Sequence, residues 1–241
     1  MIINVFKNEE QMGKAAANIF VSQVISKPDS ILGFATGSSP VTTYKNIIQS
    51  YNDGIVDFSK VTTFNLDEYC GLDHDHPCGY YYFMQDNLFK SINVPTENIH
   101  VPSGISDDVD LECRQYDESI DKAGGIDIQL LGIGHNGHIA FNEPTNTFVF
   151  GTHKVALTQD TIEANTRFFN SIDEVPKFAV SMGIGSIMKA RKIVLVANGK
   201  NKAQAVYDMV NGDVNPLVPA SVLRFHHDVV ILLDEDAASL L

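Results

Sequence analysis

IDIQLLGIGHNGHIAFNEP, Ile126 to Pro144, starts as the inside of a protein and ends as chemistry. Its first half is a nearly continuous apolar run. That pattern fits a strand covered on both faces, as in a parallel sheet, better than one with a wet side. Five other runs have the same character: SILGFA (30–35), VTTFNL (61–66), KFAVSM (177–182), KIVLVA (192–197) and VVILLD (229–234). Between them, residues 8–26, 39–52, 106–124 and 199–212 repeat apolar side chains at spacings of three and four, the signature of amphipathic helices. Most open on Asn, Ser or Asp, residues suited to capping. Strand alternating with helix implies βαβ units with right-handed crossovers, hence an α/β fold with a mostly parallel central sheet. No repeat, low-complexity tract or linker divides the chain, so residues 1–241 are expected to form a single domain. The stretch from about 143 to 176 is poor in obvious strands and is read as a lid.

The formal net charge is −13 over 241 residues, which argues against nucleic acid or an anionic membrane as partner. An anionic ligand must then be held by a few local Lys or Arg side chains against the average field. No run is long and apolar enough to span a bilayer, and MIINVFKNEE lacks the pattern of a secretory signal. Three scattered cysteines, Cys70, Cys78 and Cys113, make no disulfide framework. A cytoplasmic protein is expected.

In open parallel sheets ligands bind beyond the carboxyl ends of the strands, so the residues after each strand carry the functional reading. GFATGSSP (33–40) turns at Gly37 into Ser38, Ser39 and a helix-starting Pro40. It is either an anion site at a helix N-terminus or a capped turn. TFNLDEYCGL (63–72) leaves Asp67 and Glu68 just past a strand. Partial desolvation there could tune a carboxylate for proton abstraction; a helix cap or ion pair is the plainer alternative. DHDHPCGYYYF (73–83) is rich in metal-type ligands at a spacing that matches no defined zinc pattern, and reads as a solvated loop. Gly132-x-Gly134-x-x-Gly137 matches a dinucleotide fingerprint in form only: Pro144 blocks an immediate long helix, and no acidic residue ends a strand at the usual distance. His138 and Glu143 are a candidate proton-transfer pair, with Asn136 and Asn142 to orient them or bind hydroxyls. Arg167 in the lid, and Lys200 and Lys202 opening a helix after KIVLVA, are candidate anion ligands. Cations oppose the dipole at a helix N-terminus, which a shared anion would explain.

LLGIGHNGHIAFNEP, FNLDEYCGL, ATGSSPVTTYK and ANTRFF, in this order and over nearly the whole chain, resemble the glucosamine-6-phosphate deaminase family. The resemblance implies a Rossmann-like three-layer sandwich. It implies conversion of glucosamine 6-phosphate and water to fructose 6-phosphate and ammonia in amino sugar catabolism, with no redox cofactor and no metal. It makes Asp67 the base at C2 and His138 the ring-opening group, with Glu143 holding His138 and Asn136 completing the set. Some members carry Asp at the position of Asn136. Phosphate binding falls to Gly37, Ser38, Ser39, Arg167 and Lys202. The resemblance implies an amino sugar phosphate as partner, with the protein a monomer or homo-oligomer. Two rivals are a phosphogluconolactonase, which needs no separate C2 base, and a sugar-phosphate sensor, which would carry a basic DNA-binding segment. Some longer bacterial members of the family are activated by N-acetylglucosamine 6-phosphate through a site between subunits that uses basic residues and a C-terminal extension. Here His153 and Val155 stand at two of those positions, and the chain stops soon after its last expected strand, so no such activation is expected.

Overall fold

The computed structural model describes residues 1–241, the side chain of Phe168 excepted. Seven strands form a parallel sheet: β1 (Ile2–Phe6), β2 (Ile31–Phe34), β3 (Thr62–Asn65), β5 (Ile99–His100), β6 (Ile128–Leu131), β9 (Lys192–Ala197) and β10 (Val229–Asp234), in the order β1-β10-β9-β6-β2-β3-β5. The helices are α1 (Glu9–Ser26), α2 (Val41–Asn52), α3 (Tyr80–Asn87), α4 (Val109–Ala123), α5 (Gln159–Asn165), α6 (Ile184–Met188) and α7 (Ala203–Asn211). The α/β fold with a mostly parallel central sheet, expected from the apolar runs, is present.

Why the central strands read as unbroken apolar runs is visible in the packing. Successive strand residues point to opposite faces, so a sheet covered twice must be apolar at every position. Phe34 of β2 meets Phe20 of α1 and Tyr44 of α2. Phe64, on the other face of β3, meets Tyr116 of α4. Leu195 of β9 and Ile231 of β10 are wholly buried; each such side chain stabilises the fold by about 1.5–3 kcal/mol. β1 is the edge strand, with Ile2 and Val5 more than half exposed, and its mixed burial hid it from a search for continuous apolar runs.

β2 is followed by β3 on one side, whereas β6 returns to its other side. The loops after β2 and β6 therefore diverge, leaving a crevice at their carboxyl ends, the usual ligand position in such sheets.

One expected strand belongs elsewhere. KFAVSM forms β8 (Phe178–Ser181), which lies in a separate antiparallel sheet between β4 (Asp67–Tyr69) and β7 (His153–Ala156). An apolar run reports burial and not the partner strand. The segment 143–176, read as poor in strands, holds β7 and α5. β7 is short and alternates between half-buried and exposed positions, a weak signal in sequence. Together this sheet and α5 bury a small cluster of their own: Tyr69, Phe141, Leu157 and Ala179.

Candidate active site

A cleft of about 260 Å³ opens at the crevice. Asp67, His138, Gly37, Ser38, Ser39, Arg167 and Lys202 all line it, so residues from five separate stretches of sequence meet at one place. Asn136 and Glu143 stand outside the lining and touch His138 from behind.

One end suits an anion. Gly37 has φ 99°, a left-handed conformation that only glycine adopts readily, and this turn brings Ser38 and Ser39 to the start of α2. No side chain caps the first turn of α2, whose first N–H, that of Val41, donates to the Ser38 carbonyl at 3.3 Å. Ser39 Oγ donates to Asn198 Oδ1 at 2.6 Å, and Asn198 Nδ2 donates to Glu9 Oε2 at 2.7 Å, tying the turn to the end of β9. The other wall carries Lys202, from a 3₁₀ turn (Lys200–Lys202), and Arg167, from the turn that continues α5. Burial, and then the charge of Arg167, lower the pKa of Lys202. Two cations brought together in an acidic protein are relieved by a shared anion.

The opposite wall holds the imidazole. The backbone N–H of Gly134 donates to the carbonyl of His138 at 2.9 Å, and the ring packs where a side chain at Gly134 would stand: a Cβ there would lie 2.4 Å from Cε1. Next comes a tight turn in which Asn142 N–H donates to Ile139 O at 3.1 Å and Ala140 takes a left-handed φ of 51°. That turn sends Glu143 back beneath the ring. Glu143 Oε2 lies 3.3 Å from His138 Nδ1, off the line of a well-aligned hydrogen bond, and accepts from Asn136 Nδ2 at 2.9 Å. Asn136 Oδ1 accepts in turn from the His138 backbone N–H. Oε1 accepts from the hydroxyl of Thr161. Burial alone would raise the Glu143 pKa, but the imidazole, Thr161 and Asn136 outweigh it and hold the carboxyl at about 2.

Asp67 opens β4 and is 5% exposed. Burial, reinforced by the neighbouring Glu68, pushes its pKa up to about 8. Among the described residues no group donates a hydrogen bond to it. Glu68 points the other way and accepts from the backbone N–H groups of Tyr69, Tyr80 and Tyr81, so it caps α3. The paired acids of NLDEY thus divide: one faces the cleft and the other holds a helix. Asn142 is also structural, its amide donating to the carbonyls of Ile139 and Met182. In the loop 73–83, His74 stacks on Tyr81 and His76 Nδ1 accepts from Cys78 N–H. Thr161 was not legible in sequence, where TQDTIEAN carries no sign of which side chain will meet a carboxylate 18 residues earlier.

A parallel sheet whose switch point gathers acid–base groups and paired cations defines an α/β enzyme for a small anionic substrate. The sequence model of the family described as glucosamine-6-phosphate isomerases/6-phosphogluconolactonase matches residues 7–232, and the chain belongs to that family. It is 56% identical to a glucosamine-6-phosphate deaminase of Thermoanaerobacter sp. (strain X514), over 97% of this chain and 92% of that one. It is 54% identical to another of Alkaliphilus oremlandii (strain OhILAs), over the whole of both. A solved structure of a monomeric glucosamine-6-phosphate deaminase, 43% identical, superposes with a TM-score of 0.98 over all of both chains. A 6-phosphogluconolactonase from Trypanosoma brucei shares the fold, with a TM-score of 0.77 at 18% identity over 100% of this chain and 98% of that one.

Proposed function

We propose that this protein is a glucosamine-6-phosphate deaminase, converting glucosamine 6-phosphate and water to fructose 6-phosphate and ammonia. The observation that carries the reading is the presence of two separate proton-transfer groups, Asp67 and His138, in one cleft with an anion site. An aldose must open before its C2 proton becomes acidic beside a carbonyl, so the reaction calls for one group at the ring oxygen and a second at C2.

Arg167, Lys202 and the turn Gly37–Ser39 hold the phosphate. The phosphate does not react; its binding energy positions C2. His138 gives a proton to the ring oxygen and takes one from the C1 hydroxyl, with Glu143 ionised beneath it to stabilise the charged imidazole. Asn136 fixes Glu143 and the backbone of His138. Asp67 then takes the C2 proton. With its pKa raised to about 8 by burial and Glu68, Asp67 is largely protonated at neutral pH before substrate binds. The substrate's own ammonium at C2 supplies the missing positive charge and favours the carboxylate when it is needed. The enolamine receives a proton at C1, and water hydrolyses the resulting imine, releasing ammonia and leaving the ketone.

We place the reaction in amino sugar catabolism in the cytoplasm, carried out by a monomer with no metal or redox cofactor. The test is to incubate the pure protein with glucosamine 6-phosphate and measure ammonia and fructose 6-phosphate in equal amounts. Hydrolysis of 6-phosphogluconolactone without ammonia release would replace this reading with the lactonase one.

A further inference from the structure

One hydroxyl joins the anion end of the cleft to the His138–Glu143 pair. Thr161 is 3% exposed, lies in the first turn of α5 and contributes to the cleft wall. Its Oγ donates to Glu143 Oε1 and accepts from Thr158 Oγ at 3.1 Å. Thr158 is the cap of α5 and accepts from the Thr161 N–H. The Thr161 hydroxyl is therefore held on both sides.

α5 runs directly into the turn Thr166–Phe168 that carries Arg167. Thr161 and Arg167 are thus two points on one short helical segment, roughly 9 Å apart along its axis. Backbone hydrogen bonds make such a segment stiffer than a loop, so a pull at one end moves the other. It rests, through Ile162 and Phe169, on the small cluster of Tyr69, Phe141, Leu157 and Ala179 rather than on the main core. It can shift without unpacking the parallel sheet.

Glu143 is the element that such a shift would set. Its Oε2 is shared by Asn136 and His138, whereas among the described residues Thr161 is the sole donor to Oε1. Moving Thr161 rotates the carboxylate and carries Oε2 with it. The contact that responds is the one from Oε2 to His138 Nδ1, which is long and poorly aligned as it stands. Site hydrogen bonds of this kind tighten when the ligand is in place.

We propose that Thr161 is a positioning residue that couples anion capture at Arg167 to the alignment of Glu143 with His138. The proposal rests on the reading of Arg167 as the phosphate ligand and His138 as the ring-opening group. Its chemical content is that a phosphorylated sugar, once gripped, sharpens the group that opens it, while an unphosphorylated sugar does not.

Two measurements test it. In the first, histidine-labelled protein is titrated with inorganic phosphate and the His138 ring signals are followed by NMR. The wild type and Thr161→Ser should show phosphate-dependent movement of those signals. Thr161→Val, close in shape but without the hydroxyl, should bind phosphate within about twofold of wild type, as the thread loses only a distant contact, yet leave His138 unmoved. Undiminished movement in Thr161→Val, or none in the wild type, overturns the proposal. In the second, kcat for glucosamine 6-phosphate is compared among Arg167→Ala, Thr161→Val and the double variant. Coupled residues should fall short of the product of the single effects by about fivefold or more; simple multiplication overturns the proposal. A wild type that releases no ammonia refutes the deaminase reading instead, and the phosphate titration still decides the coupling.

Discussion

Asp67 and Glu143 are both buried carboxylates of one site, and their surroundings drive them in opposite directions. Burial pushes Asp67, with Glu68 beside it and no donor among the described residues, up to about 8. Glu143 is nearly as buried but meets an imidazole, a hydroxyl and an amide, which hold it at about 2. The difference teaches that burial alone does not make a base. A carboxylate left without donors keeps an affinity for protons; one supplied with donors becomes a fixed charge that serves its neighbour. In the proposed mechanism the first takes a proton from the substrate, while the second keeps a histidine in place.

The most direct way to break the contrast is Asp67→Asn. Turnover of glucosamine 6-phosphate should fall by about 10²–10⁴-fold, the worth of a positioned base, together with solvent deuterium exchange at C2. Phosphate binding should persist. Normal exchange in the variant would remove Asp67 from the mechanism.

His138→Gln separates the two sides more finely. The cyclic substrate should slow by about 10²-fold, toward the lower end of that range. A substrate analogue held in the open-chain form should lose much less. Equal losses on both forms would mean that His138 does not act in ring opening.

Arg167→Ala removes neither carboxylate and acts first on the anion. Loss of one charged phosphate contact is worth roughly 1.5–3 kcal/mol, about ten- to hundredfold in apparent KM. Unphosphorylated glucosamine, if turned over, should be unaffected.

A smaller effect appears in stability. Between 3.8 and about 8 the native protein holds a proton on Asp67 that the unfolded chain has released, so this residue makes stability fall as pH rises across that window. Asp67→Asn should flatten the slope and be the more stable form at alkaline pH. Glu143 has the opposite sign. Between about 2 and 4.5 the unfolded chain binds the extra proton, so its contribution grows with pH there and is lost on acidification. Glu143→Gln should remove that acid-side dependence. Urea unfolding of the three proteins across pH measures both slopes.

The smallest expected effect is none. N-acetylglucosamine 6-phosphate should leave the substrate saturation curve hyperbolic and unmoved apart from weak competition. Burial lowers the pKa of His153, so it brings little positive charge to β7 at neutral pH, and Val155 brings none. A sigmoidal curve made hyperbolic by the acetylated sugar would contradict this.

The legible parts of this site share a feature: each functional residue follows a buried strand within about a dozen positions. His138 and Glu143 come after β6, Gly37 after β2, and Asp67 after β3, so the apolar run and the polar cluster are read in one glance. NLDEY was legible as a pair of acids but not as a division of labour, because which side chain faces the cleft depends on β4 pairing with β8. KFAVSM announced its burial and concealed its sheet for the same reason. Thr161 left no mark at all, since its partner lies on another element.

The sequence alone determined the α/β class, the helices between the strands and the residues at the strand ends, because apolar periodicity, capping and turn chemistry act over a few neighbouring positions. The tertiary structure decided which of those residues meet. It chose Asp67 over Glu68, turned Asn142 inward, brought Thr161 onto Glu143 and set Arg167 beside Lys202. Those outcomes depend on distances between segments far apart in the chain, and the proton affinity of each carboxylate depends on the donors and the burial that such distances create.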